Sequence, residues 1–278
     1  MSVTARIKQK SILKKKLKID EIINLTGLSY GVSDENFRLI RDEIASHTLL
    51  YDETKPARGI ELWMDNNDIL LSLSLPTSPS EIKMYYYTIA KICNTLKIKK
   101  YLRDDEQVNI EDNDKFIKYD EEAIIGALED IKNKTGNAYQ RFEIFGIFNP
   151  ISIGQIELKK INNNLNDFER FLSEIQTYDV YYAAPEVFRK KATNKSIGIY
   201  SVPKNVPSVV PIKPYVVLNQ IKDIDEWYVM FDKEKTIKYD DFIKSFKEKQ
   251  YYYDANHVVV LLNDEEVETL VSKYFSEI

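Results

Sequence analysis

An α+β fold with two mixed sheet-and-helix lobes is predicted from three observations. Short alternating strands are interleaved with amphipathic helices along the whole chain rather than grouped apart. The order strand, turn, strand, helix, strand occurs over residues 58–102 and again over 141–183, with a partial third version over 227–262 and no residue-level identity among them. The composition, 44% hydrophobic and 30% charged over 278 residues, is that of a globular chain long enough to bury a core.

The elements follow in order. Val3 to Lys8 is predicted as a first strand, and Asp20 to Leu25 as a short helix ending near Gly27. His47 to Tyr51 and Arg58 to Met64 are predicted strands, with a turn at Asp65-Asn66-Asn67-Asp68. From Ile69 to Leu75, apolar residues alternate with Ser72 and Ser74, which marks a half-buried strand. Ser78-Pro79-Ser80-Glu81 is a capping box with proline at the first helical position. The helix it starts runs to Lys97, with Ile82, Tyr86, Ile89, Cys93 and Leu96 on one face. Ile98 to Leu102 is the next strand.

An acidic linker is expected over 104–118, then a helix from Tyr119 to Lys134 stopped at Gly136. Strands are predicted at Arg141 to Phe148 and Ile153 to Lys160, a helix at Asn166 to Gln176, and a strand at Asp179 to Ala183. Residues 185–214 place Pro203, Pro207, Pro211 and Pro214 within twelve positions, and read as an extended surface connection. Trp227 to Phe231 and His257 to Leu262 are strands, and Tyr239 to Lys249 and Asp264 to Phe275 are helices. The expected organisation is an N-terminal lobe over 1–103, an acidic linker and helix over 104–138, and a C-terminal lobe over 139–278.

Charge is unevenly distributed. Residues 1–18 hold seven bases and no acid; removing these seven from 39 leaves 32 bases against 44 acids, a formal −12 for residues 19–278. An acidic body repels nucleic acid, so a nucleic-acid partner is disfavoured despite Lys14-Lys15-Lys16. The longest apolar run is Val258 to Leu262, far short of the roughly 20 residues of a spanning helix. No secretory signal pattern opens the chain. One cysteine, Cys93, forms no intramolecular disulfide, which suits a reducing cytoplasm. A soluble cytoplasmic protein is expected.

The catalytic motifs are missing. The eight glycines permit no phosphate-binding loop and no nucleophile elbow, and one cysteine with two histidines, His47 and His257, does not make a zinc site. No cofactor and no metal are expected. Two weak catalytic constellations remain. Asp254 and His257 form an acid–base pair in composition, though the simpler reading is a strand-edge histidine beside a turn. Glu143 on one strand with Glu157-Leu158-Lys159 on the next has the composition of a metal-dependent nuclease core. The same acid-x-Lys spacing recurs at Glu53, Glu81 and Asp130, and Glu157 and Lys159 read more simply as a strand's solvent face. Cys93 lies on an apolar helical stripe and reads as a core residue.

Binding features are more numerous. Residues 104–122 hold nine acids, Asp104, Asp105 and Glu106 first among them, against Lys115 and Lys118. Such a belt docks basic partners or serves as a polar linker. Tyrosine reaches 19 residues, with triples at Tyr85-Tyr86-Tyr87 and Tyr251-Tyr252-Tyr253 and a pair at Tyr181-Tyr182. A triple sends residues to both sides of any element, so some are exposed, and exposed tyrosine is a good contact residue. Tyr85, Tyr87, Tyr181 and Tyr252 are the expected contact residues, together with Asp104, Asp105 and Glu106.

The stretches Leu25-Thr26-Gly27-Leu28-Ser29-Tyr30-Gly31, His47-Thr48-Leu49-Leu50-Tyr51 and Leu75-Pro76-Thr77-Ser78-Pro79-Ser80-Glu81-Ile82 resemble a bacterial family known only as a domain of unknown function. The resemblance implies a bacterial cytosolic protein and carries no catalytic residue. The leading expectation is a non-catalytic protein-binding or regulatory module. The alternative is an enzyme, hydrolase- or nuclease-like, working through Glu143, Glu157 and Lys159 or through Asp254 and His257.

Overall fold

The computed structural model describes residues 2–9, 16–34, 38–134, 141–191, 193–216, 224–232, 235–246 and 251–278. The architecture is α+β, in two compact units, Met1–Thr177 and Tyr178–Ile278. The described part of 104–138 falls inside the first unit.

The first unit is built on an antiparallel sheet of eight strands. In chain order these are β1 (Ser2–Ile7), β2 (Ser29–Ser33), β3 (Leu39–Arg41), β4 (His47–Tyr51), β5 (Ile60–Asp65), β6 (Asp68–Ser74), β7 (Lys100–Arg103) and β8 (Glu106–Asn109). They lie in the order β3-β2-β4-β5-β6-β1-β7-β8. Register follows the alternation of the sequence: Ala5 lies opposite Leu71, Leu71 opposite Leu62, and Leu62 opposite Thr48, all fully buried on one face. Helices α1 (Ile19–Thr26) and α2 (Pro79–Leu96) join this sheet to the core, and α1 stops at Gly27, whose φ of 69° is left-handed.

The start of α2 departs from the expected capping box in one respect. The Ser78 hydroxyl accepts from the Glu81 N–H at 3.1 Å, but the Glu81 carboxylate turns away from Ser78. It accepts from the Gly59 N–H at 2.6 Å, the Arg58 N–H at 3.1 Å and the Thr77 hydroxyl, tying the helix to the entry of β5. Burial pushes this carboxyl above the ordinary carboxylate range, against the pull of those donors. The folded chain therefore takes up a proton at Glu81 more readily than the unfolded one. Its contribution to stability is present at low pH and is lost as pH rises from about 4.5 through the raised folded value. The expected result is that Glu81→Gln, which keeps an acceptor for Gly59 and a donor for Thr77, flattens this part of the melting temperature's pH profile. Thermal melts of both proteins between pH 4 and 8 would check it.

Residues 104–118 are not a linker. Asp104 and Asp105, at φ 47° and 68°, form the two-residue turn between β7 and β8. A short 3-10 turn then leads into α3 (Asn113–Lys134), which starts six residues before the expected Tyr119. Inside this packing sits a buried ion pair. Arg103 donates to Asp120 at 2.6 Å and to the Tyr86 hydroxyl at 3.0 Å, and Tyr86 donates to Asp120 at 2.5 Å.

The unit closes with a hairpin, β9 (Phe142–Phe145) and β10 (Pro150–Ile153), and two helices, α4 (Gln155–Ile161) and α5 (Leu165–Thr177). The predicted strand Ile153 to Lys160 is thus overturned. Strand gives way at Gly154, and the next seven residues are helical because Glu157, at the third helical position, accepts from the Gly154 N–H at 2.8 Å.

The described residues of the second unit form two four-stranded sheets and two helices. Its elements are β11 (Tyr181–Tyr182), β12 (Pro185–Arg189), β13 (Ser196–Ser201), β14 (Ser208–Pro211), β15 (Glu226–Asp232), β16 (Lys235–Lys238), α6 (Tyr239–Ser245), β17 (Tyr251–Tyr252), β18 (His257–Val260) and α7 (Asp264–Tyr274). The sheets run β11-β14-β18-β17 and β12-β13-β15-β16. Tyr200, Val229, Ile237, Phe242, Val258 and Val267 share one buried apolar cluster. Residues 185–214 are therefore three strands rather than a surface connection. The prolines stand at strand ends, Pro185 opening β12 and Pro211 closing β14, with Pro203, Pro207 and Pro214 between strands. The helix stop at Gly136 and the last residues of the predicted helix Tyr239 to Lys249 lie outside the described residues. Among the described residues, no helix is long and apolar enough to cross a membrane.

Candidate functional site

The richest polar constellation lies in the second unit, where β17 turns into β18. Asp254 accepts from the Asn256 N–H at 2.9 Å and the His257 N–H at 2.8 Å, an Asx-type turn. The same oxygen lies 2.7 Å from His257 Nδ1. A carboxylate oxygen accepts, so Nδ1 carries a proton at this contact. Nε2 faces two phenol hydroxyls, Tyr182 at 2.9 Å and Tyr215 at 3.0 Å. Tyr215 is itself held by Tyr200, whose hydroxyl donates to the Tyr215 carbonyl at 2.6 Å. Burial, followed by the neighbouring Tyr215, pushes the Tyr182 phenol well above its ordinary range, so it acts as a neutral donor.

The structure thus brings Asp254 and His257 together and adds Tyr182 and Tyr215 to them. Asp254 and His257 are 0% and 1% exposed, and both ring nitrogens are engaged by protein groups. A catalytic base needs reach to a substrate proton. Here the imidazole instead ties β18 to β11 and to the segment around Tyr215. The Asn256 side-chain amide nitrogen is also buried and lacks a hydrogen-bond partner among the described residues.

The second catalytic candidate is taken apart by the fold. Glu143 lies on β9 and pairs with Arg141 at 3.2 Å. Glu157 is 1% exposed and spent on the helix start. Lys159 is exposed two residues further along α4. Two residues on a helix are about 200° apart, so Glu157 and Lys159 do not share a face as a strand would have required. The expected order is inverted as well, since Ile156 is 51% exposed where Glu157 is buried. Among the described residues no group of three or more His, Cys, Asp and Glu is placed to hold a metal ion. Cys93 is buried, and burial pushes its thiol up to about 12, which keeps it protonated. His47 is exposed, stacked on Trp63 at 5.3 Å and bonded to Glu61 at 2.6 Å.

The tyrosines divide sharply. Tyr85 is not a surface residue: it is fully buried, its hydroxyl between the carbonyls of Val3 and Leu71, because α2 turns this position onto the sheet. Tyr87, two positions on, is exposed beneath the Lys91 ammonium. Tyr181 is half-buried against the second unit's core. Tyr251 and Tyr252 are 72% and 45% exposed. Asp104, Asp105 and Glu106 are exposed at the β7–β8 turn. Lys16 is exposed, and Lys14 and Lys15 lie outside the described residues.

The sequence concealed the His257 site's partners. Tyr182 and Tyr215 stand 75 and 42 positions from His257, and no local pattern marks them. The one available signal was strand alternation, which sends Tyr182 to the face opposite Tyr181. Compared with known proteins, residues 2–270 match the model of a family described as Domain of unknown function (DUF4299). No curated protein and no solved structure matches the chain.

Proposed function

We propose a protein-binding role for this chain, which belongs to the family of unknown function DUF4299, through the tyrosine-bearing strand β17. One observation carries this reading. Consecutive strand residues point to opposite faces, and Tyr251 and Tyr252 are both exposed, so this two-residue strand presents aromatic rings to water on both sides. Neither ring is needed to fill the core beneath it; that is done by Tyr253, at 5% exposure. Large, stiff rings with a polar tip, held at the end of a sheet, are the composition of a contact surface. The turn built on Asp254 and His257 anchors the strand that carries them.

We take the role as non-catalytic: Asp254 and His257 hold a turn, Glu157 holds a helix start, and Glu143 pairs with Arg141. The setting is bacterial and cytosolic, which suits a single buried cysteine. The test is affinity capture from the native lysate with the tagged chain and with Tyr251→Ser/Tyr252→Ser. A stoichiometric protein partner that falls at least about tenfold in the double variant is expected, as for the loss of two interface tyrosines. An undiminished partner, or none, would overturn the proposal.

A further inference from the structure

We propose that the chain associates with a second copy of itself by antiparallel pairing of β12 with β12 of the copy about a two-fold axis at Phe188. This contact uses the other sheet of the second unit and stands without the role given to β17.

Among the described residues strand β12 ends its sheet, and its register with β13 fixes which groups point outward. Lys190 donates its N–H to Lys195 of the β13 side at 2.9 Å. In an antiparallel pair the hydrogen-bonding direction alternates. Glu186 and Phe188 therefore bond towards β13, and Val187 and Arg189 aim their N–H and C=O groups at the open edge. On the side-chain level, Phe188 lies opposite Ile197 and Glu186 opposite Ile199. Ile197 and Ile199 form a buried apolar patch with Tyr228, and Phe188 extends its row to the rim at 50% exposure.

A two-fold axis perpendicular to a sheet must pass through the centre of a residue pair. Placed at Phe188, it sets Phe188 against Phe188 of the copy, and Glu186 against Lys190 of the copy on the same face, twice over. Val187 and Arg189 of opposite copies then exchange backbone bonds, each with a donor available. Placed one residue earlier, at Val187, it sets Glu186 against a phenyl ring and puts Pro185, which has no N–H, in a bonding row. Proline and charge on an edge ordinarily discourage pairing. Here they leave one register self-complementary. The contact is short for a stable interface, so the association is concentration-dependent.

Sedimentation of the full chain over rising concentration tests this. The wild type is expected to move from 32.5 kDa towards twice that mass. Glu186→Lys and Lys190→Glu should each weaken association by about tenfold, because like charges then face each other at both pairs. Combining the two in one chain should restore it. Glu186 is exposed and Lys190 half-buried, and circular dichroism checks the fold of all three variants. A wild type that stays at 32.5 kDa at every concentration would overturn the proposal. So would a dimer indifferent to Glu186→Lys, or a double variant as weak as either single one.

Discussion

Replacing Asp254 by alanine is expected to destabilise the second unit by about 2–5 kcal/mol, the cost of leaving buried N–H donors unsatisfied at about 1–3 kcal/mol each. Its carboxylate is fully buried and accepts three N–H groups at once, from the Asn256 backbone, the His257 backbone and the His257 ring. Alanine removes the acceptor of the Asn256 N–H and of the His257 ring, and leaves the His257 N–H only the Asp254 carbonyl, at 3.4 Å. Asp254→Asn retains an acceptor oxygen for these donors, so it should cost about 1–2 kcal/mol. The chain has two tryptophans, Trp63 in the first unit and Trp227 in the second. Urea unfolding followed by fluorescence in a Trp63→Phe background therefore reports the second unit. Equal stability for Asp254→Ala and the wild type would contradict a structural role for this cluster.

The second large effect is expected at Asp120. Its side chain is 1% exposed and that of Arg103 is 13% exposed. Asp120→Ala leaves a largely buried guanidinium with Tyr86 and the exposed Asp104 as its polar neighbours. The expected loss is about 3–5 kcal/mol. Removing both charges together, as Arg103→Met with Asp120→Leu, should recover part of it, because the paired ions gain little over well-packed apolar groups while the buried Tyr86 hydroxyl loses both partners. Unfolding read from Trp63 in a Trp227→Phe background measures each variant. A double variant as unstable as Asp120→Ala would contradict this account of the pair.

Where alternation or a cap was strong, the sequence was legible. Ile69, Leu71 and Leu73 announced β6, and Ser78 with Pro79 announced α2. The segment from Ile153 to Lys160 misled because Ile156 and Leu158 alternate with Glu157 and Lys159, and a short helix has too few turns to establish its own period. Gly154 followed three positions later by Glu157 was the sign of a helix start, and it was masked by the alternation. Proline density misled in the opposite direction over 185–214. A proline excludes a central strand position but not a strand end, and the chain uses it at the ends.

The candidate site was half legible. Asp254 and His257 are three residues apart, so a turn suffices to join them. Their burial depends on Tyr182 and Tyr215, brought in from β11 and from the segment after β14 by sheet topology. Exposure of the tyrosine triples followed from geometry only in part. In Tyr85-Tyr86-Tyr87 two rings turn inward and one outward, and in Tyr251-Tyr252-Tyr253 two face water and one the core. Which ring does which depends on the phase of the element against its neighbours, and that phase is a tertiary property.

A paired measurement tests most directly the claim that the buried cluster supports the fold while the strand before it makes the contact. The melting temperature and the yield of captured partner are measured for the wild type, Asp254→Ala and Tyr251→Ser/Tyr252→Ser. The tyrosine variant is expected to melt with the wild type and to lose its partner, while Asp254→Ala melts well below both. A tyrosine variant that keeps its partner in full, or that melts as low as Asp254→Ala, would contradict the claim.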